Sequence, residues 1–204
     1  MKKLNTTHSN TDNRKKAIIH GALECFISTG ISETSISDIC KKSNSSTGSL
    51  YHHFGSKEKL AAKVYLEGIQ DYQKGFVHAL EASTDAKSGI FGVIAYHLKW
   101  VVDHPAWAIF LFRERHSGFM GQSEHELHQL NGEFVNKISV WFFGHVASGT
   151  LRKLKPDVYQ PILLGPVQEY VRHYVSCAHK PDIKNVAEEL ALAAWLSLGS
   201  EQKE

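Results

Sequence analysis

Apolar residues return at helical spacing along almost the whole chain. Ile18, Ala22, Leu23 and Phe26 fall on one face of a first helix, expected over about 12–29 and closed by Gly30. Ile36, Ile39 and Cys40 recur at i, i+3 and i+4, and Leu50 and Phe54 share one face of a short segment, 47–54. A long helix is expected over about 56–82, then others at about 86–102, 105–116, 123–149, 157–178 and 182–198. Pro105, Pro156 and Pro181 suit helix starts. Pro166 falls inside a helix, where its missing N–H predicts a kink. There is no strand alternation, internal repeat or low-complexity tract. The pattern predicts an all-α chain of about nine helices. Residues 1–12 are polar and expected to be disordered, 13–58 form an N-terminal three-helix bundle, and 59–200 a larger helical domain.

The two short helices carry the most specific signal. Ser35 is placed to cap the first, with Asp38 as its capping-box partner. Lys41 and Lys42 complement the dipole at its end, and Asn44 tolerates the left-handed backbone of a sharp turn. Ser46 caps the second helix, and Ser56 the long one after it. This is the layout of a helix-turn-helix. The second helix, eight residues or about 12 Å long, matches the width of a DNA major groove. Thr47 and Ser49 offer short hydrogen-bonding groups, and Gly48 removes a side chain where the backbone must come close. Tyr51 and His52 are long enough to reach phosphates, as is Lys57 at the start of the next helix. With Ser35, Ser45 and Ser46 at the turn, these are the candidate DNA-contacting residues.

Charge supports that placement. The net charge of +2 over 204 residues is divided unevenly. Residues 1–60 hold nine Lys/Arg and five acids, a balance of +4, and the remainder is at −2. An apolar fraction of 42 % is enough for a packed core, and no apolar run is long enough to cross a membrane. The basic N-terminus has no apolar stretch after it, which argues against a signal peptide. Cys25, Cys40 and Cys177 lie at helical positions and suit small core residues in a reducing cytosol.

From about Asn13 to Tyr65 the chain resembles the DNA-binding domain of the TetR family of bacterial transcriptional regulators. The first helix ending at Phe26 and Gly30, then SISDIC, STGSLYHHF and GSKEKL, carry the resemblance. Three positions depart from the family's usual pattern: Ser45 where an apolar residue is common, Thr47 where Lys is frequent, and Lys59 in place of an acid. The resemblance implies a homodimer on a near-palindromic stretch of double-stranded DNA, and a repressor released by a small, hydrophobic or aromatic effector.

The C-terminal part carries features that fit those roles. Leu163, Val167, Tyr170 and Tyr174, with Ala187, Leu190, Ala191, Ala194 and Leu198, are expected at the dimer interface. Leu192, Trp195 and Leu196 lie on the other side of a last helix that is apolar nearly all round. Aromatic residues crowd the second domain. Tyr96, Trp100, Trp107, Phe110, Arg113, Trp141, His145, Tyr170 and His173 are candidates to line an effector pocket, with His97 a further polar group.

Catalytic chemistry finds no foothold. His125 and His128 in HELH do not match the two-histidine zinc-protease spacing, and no nucleophile elbow or phosphate-binding glycine loop occurs. No cofactor, metal or membrane is expected. A regulator controlled by a protein partner, or a helical metal-binding protein or enzyme, stays open on sequence alone.

Overall fold

The computed structural model describes residues 5–115, 118–176 and 183–200. Among these are nine α-helices: α1 (Asn5–Thr29), α2 (Ile36–Ser43), α3 (Thr47–Phe54), α4 (Lys57–Glu81), α5 (Ala86–Asp103), α6 (Pro105–Glu114), α7 (Glu124–Ala147), α8 (Pro156–Ser176) and α9 (Ile183–Leu198). A 3-10 segment, Gly118–Ser123, precedes α7. α1 begins at Asn5 rather than near Asp12, so residues 5–12 continue the helix instead of forming the disordered terminus expected. Nothing before Gly21 is a glycine or proline, so no breaker stops the helix from propagating. α8 runs through Pro161 and Pro166 as one helix. Cys177 and Pro181 lie outside the described residues.

Two compact units result. The first takes in the chain up to Ile69 together with Ala106–Leu127. Its core joins Ile18, Leu23 and Phe26 of α1, Ile39 of α2, Leu50 of α3, Leu60, Val64 and Tyr65 of α4, and Phe110 of α6. Phe110 stacks on Phe26 with ring centroids 5.8 Å apart. Trp107 also belongs here. It packs onto the α4 backbone at Gly68, where any Cβ would collide with its ring. Arg113 donates to the carbonyls of Phe26 and Ile27 at the end of α1. Trp107, Phe110 and Arg113, expected in an effector pocket, are therefore packing and clamping residues of the first unit.

The second unit contains Gln70–Pro105 and the chain from His128 onward. Within it α5 packs against α8 and α9, and those two against each other. Ile90, Ile94, Leu98, Leu163, Val167, Ala191, Ala194 and Leu198 are buried in this layer. A single β-bridge among the described residues, Leu151 to Gly199, ties the α7–α8 loop to the end of α9. Tyr159 reinforces it by donating to the Arg152 carbonyl and accepting from the Leu154 N–H.

Candidate nucleic-acid interface

Local chemistry shapes the two short helices. The Ser35 side chain accepts from the Asp38 N–H at 3.1 Å while Asp38 accepts from the Ser35 N–H, a reciprocal capping box. The Ser35 hydroxyl donates to Asp38 Oδ2 at 2.6 Å, and this bond first, the Ser35 N–H second, holds the Asp38 carboxyl below the ordinary carboxylate range. α2 stops at Asn44, whose φ of 48° is left-handed. Ser46, extended at φ −88°, accepts from the Ser49 N–H and starts α3. Leu50 anchors α3 with its side chain fully buried. The opposite side carries Gly48 and His52, both exposed, with Tyr51, 48 % exposed, on the flank; Thr47, also exposed, sits one turn before Leu50 with its hydroxyl 3.9 Å from Cys40 Sγ.

Gly48 separates packing from function. An added Cβ there would meet nothing within 4 Å, whereas one at Gly21 would lie 2.9 Å from the Ser43 Cβ. Gly21 is small because α2 presses on α1. Gly48 has no such neighbour, yet glycine inside a helix costs about 1 kcal/mol relative to alanine. The protein's own packing does not explain it.

The remaining candidates divide. The Ser45 hydroxyl is bonded to that of Ser43 at 2.7 Å, and the Ser35 hydroxyl is occupied in its capping box. Both hold the turn in shape. Lys57 differs most from expectation. Its Nζ donates to the carbonyls of Ser32 at 2.8 Å and Thr34 at 2.9 Å, fastening the first turn of α4 to the α1–α2 loop. Only one of its three N–H bonds is left for a phosphate. Ser56 caps α4 by accepting from the Lys59 N–H.

Two residues outside the sequence candidates contribute charge here. Partial burial lowers the His53 pKa, and the neighbouring His52, Lys15 and Arg14 lower it further. Arg14 and Lys15 thus lend positive charge beside the end of α3. The excess of bases in the first sixty residues was the only hint of this.

In the second unit, Tyr96 and Trp100 line an open cleft of about 400 Å³ with Asp71, Lys74, Gly75, His78 and Lys99. Trp100 Nε1 donates to Asp71 at 2.8 Å. Trp141 and His145 lie elsewhere, their rings 4.4 Å apart, with Trp141 seated against Gly89. Tyr170 stacks on Tyr174, and His173 is exposed on the same helix. The expected pocket residues are not one constellation.

The dimer residues need a correction as well. Leu163, Val167, Tyr174, Ala191, Ala194 and Leu198 are buried within the chain, and Ala187, Leu190 and Tyr170 are half-buried. On α9 the side turned outward carries Leu192, 47 % exposed, and Leu196, 71 % exposed. Both sides of α9 are apolar, and its packing on α5 and α8 decides which one remains available.

A family model described as "Bacterial regulatory proteins, tetR family" matches residues 18–64, the span of α1–α4 that builds this surface. The HTH-type transcriptional repressor NicS of Pseudomonas putida is 23 % identical over 194 residues, covering 93 % of this chain and 90 % of that protein. A TetR family transcription regulator from Marinobacter aquaeolei VT8 superposes with a TM-score of 0.79 at 14 % identity, over 95 % of this chain and all of that one (100 %). The transcriptional regulator FadR of Bacillus subtilis, solved in complex with stearoyl-CoA, gives a TM-score of 0.76 at 18 % identity over 88 % of this chain and 96 % of that one.

Proposed function

Because this chain belongs to the TetR family of bacterial transcriptional regulators, we propose that it is a repressor that occupies a near-palindromic operator as a homodimer and leaves it when a small hydrophobic or aromatic effector binds its second unit. Its α2–α3 pair is a DNA-binding helix-turn-helix, and the protein is a regulator rather than an enzyme. One observation carries the reading: a capped, eight-residue helix whose buried Leu50 fixes it in the core while Gly48 faces open space.

The division of labour follows from chemistry. Thr47 and Ser49 read base edges, and Thr47 can also meet a thymine methyl. Tyr51, His52 and the bases of α1 hold phosphates and set the register. Two such helices in a symmetric dimer read half-sites one helical turn, about 34–36 Å, apart. NicS is described as a repressor, which supports the sign of regulation, and FadR holds a small molecule, which supports an effector. No helix among the described residues is long and apolar enough to cross a membrane. We place the protein in the cytoplasm, where its operator is.

Selection of bound duplexes from a random pool tests this reading. Enrichment of an inverted repeat is expected. A pool that stays random at low ionic strength refutes it.

A further inference from the structure

Among the described residues, two histidines have their charged forms disfavoured, and their surroundings differ. His97 of α5 is sealed in the second unit, 4 % exposed, with the Tyr72 hydroxyl 2.7 Å from its Nδ1. Nothing from outside can reach it. His53, the last residue but one of α3, is only half-buried and borders the exposed side of that helix. Its ring lies 5.1 Å from that of His52 and 6.2 Å from that of Phe54.

Arg14 and Lys15 act on His53 from α1. They precede the buried Ile18 and Ile19 by four residues each, so they continue the packing stripe of α1 one turn past the edge of the core. Both are exposed. Burial, then His52, Lys15 and Arg14, lower the His53 pKa, and no carboxylate of α1, α2 or α4 offsets them. Other bases of the first unit are answered from within. Lys42 pairs with Glu24 at 2.6 Å, and Lys57 and Arg113 donate to main-chain carbonyls. Positive groups gathered without an acid repel one another and suit an anion that arrives from outside. Gly48 and His53 are about 7.5 Å apart along the helix axis. With Gly48 against the floor of a groove about 12 Å wide, the cluster comes to its phosphate rim.

We propose that Arg14, Lys15 and His53 form a seat for one backbone phosphate of the operator, and that His53 takes up a proton as the phosphate arrives, so that operator affinity rises as the pH falls. The inference rests on the reading of α2–α3 as the operator-binding element and adds control by protons to it. Arg14 and Lys15 act twice. They supply charge and N–H donors to the phosphate, and in its absence they keep the imidazole uncharged. An opposite charge within about 4–6 Å then favours the imidazolium. In the free protein His53 protonates only below the ordinary histidine range, and in the complex it protonates at higher pH. Between those two values the complex holds more protons than its separated parts, so affinity climbs as the pH drops through that window and is level on either side. A rise of about one unit on binding corresponds to about tenfold in affinity.

The test uses the full chain and the duplex enriched from the random pool, titrated by fluorescence anisotropy at constant ionic strength from pH 5.5 to pH 8, with circular dichroism confirming the fold throughout. Binding about tenfold tighter at the acid end is expected. His53→Gln should lose most of that rise. Arg14→Gln and Lys15→Gln should each lower the slope of log affinity against log salt by about one unit. Proton NMR of the parent chain supplies a readout that needs no variant: the titration midpoint of the His53 ring should move up by about one unit when operator is added. An affinity independent of pH, an undiminished rise in His53→Gln, unchanged salt slopes in both α1 variants, or a midpoint that operator leaves in place overturns the proposal. Should His53→Gln fail to fold, the midpoint decides. A pool from which no duplex is enriched refutes the operator reading itself, whereas an operator bound equally well across the pH range refutes only the proton-coupled seat.

Discussion

Nζ of Lys57 lies 2.9 Å from the carbonyl oxygen of Thr34, and this bond ties the start of α4 to the loop before α2. The same lysine was expected from sequence to serve as a phosphate contact. Its ammonium is instead a structural staple with one proton to spare. Lys57→Ala is therefore expected to lower stability by about 1 kcal/mol, the scale of a partly exposed charge-assisted bond, visible in urea unfolding. The slope of log affinity against log salt should change by clearly less than the one unit of a full phosphate contact. A full unit with unaltered unfolding would restore Lys57 to the interface.

Gly48 predicts opposite signs for folding and binding. Nothing stands within 4 Å of a Cβ at this position, so Gly48→Ala should raise stability by up to about 1 kcal/mol through helix propensity. Gly48→Leu should fold equally well and lose the operator. Urea melts paired with gel-shift titration read both effects. An operator affinity unchanged in Gly48→Leu would mean that α3 does not enter the groove.

What the sequence disclosed was mostly local. The Ser35–Asp38 box, the Ser46 and Ser56 caps, the left-handed Asn44 and the end of α1 at Gly30 all depend on residues within three or four positions. Each has a distinct chemical signature, and the exposed side of α3 follows from them. What stayed hidden depends on partners far along the chain. Arg113 reaches carbonyls 86 and 87 residues away, and nothing in its neighbourhood says that α6 belongs with α1. Trp107 and Phe110 looked like pocket residues because an aromatic at helical spacing reads the same in either unit. Gln73 is buried with its amide bonded to Asn131, whereas a lone glutamine on a helix is usually solvated.

The His97–Tyr72 pair makes stability depend on pH in a defined window. Burial depresses the folded-state value of His97 to about 4 from 6.5. Below 6.5 the unfolded chain takes up a proton that the folded chain refuses, so stability falls as the pH drops from about 6.5 to about 4. The full effect is on the order of 3 kcal/mol. Carboxylates held low, such as Asp38 and Asp85, lose their contribution mainly below that window. Subtracting the unfolding free energies of His97→Phe from those of the parent across pH 4–7 isolates the histidine. A flat difference would show that His97 is protonated as readily inside the fold as outside it.

The two sides of α9 separate folding from association. Ala191 is buried against the rest of its own unit, so Ala191→Glu places an unpaired charge in the core and should unfold it. Leu196 is 71 % exposed, so Leu196→Glu costs the single chain little. If the outward side is where two copies meet, that substitution should yield a folded monomer by sedimentation equilibrium. Operator affinity should then fall steeply, because each half-site would be read alone. Leu192→Glu should act in the same direction. A Leu192→Glu, Leu196→Glu double variant that remains dimeric and binds its operator normally would place the association surface on another element. The exposed Val135, Val140 and Phe143 of α7 would be the next apolar positions to substitute.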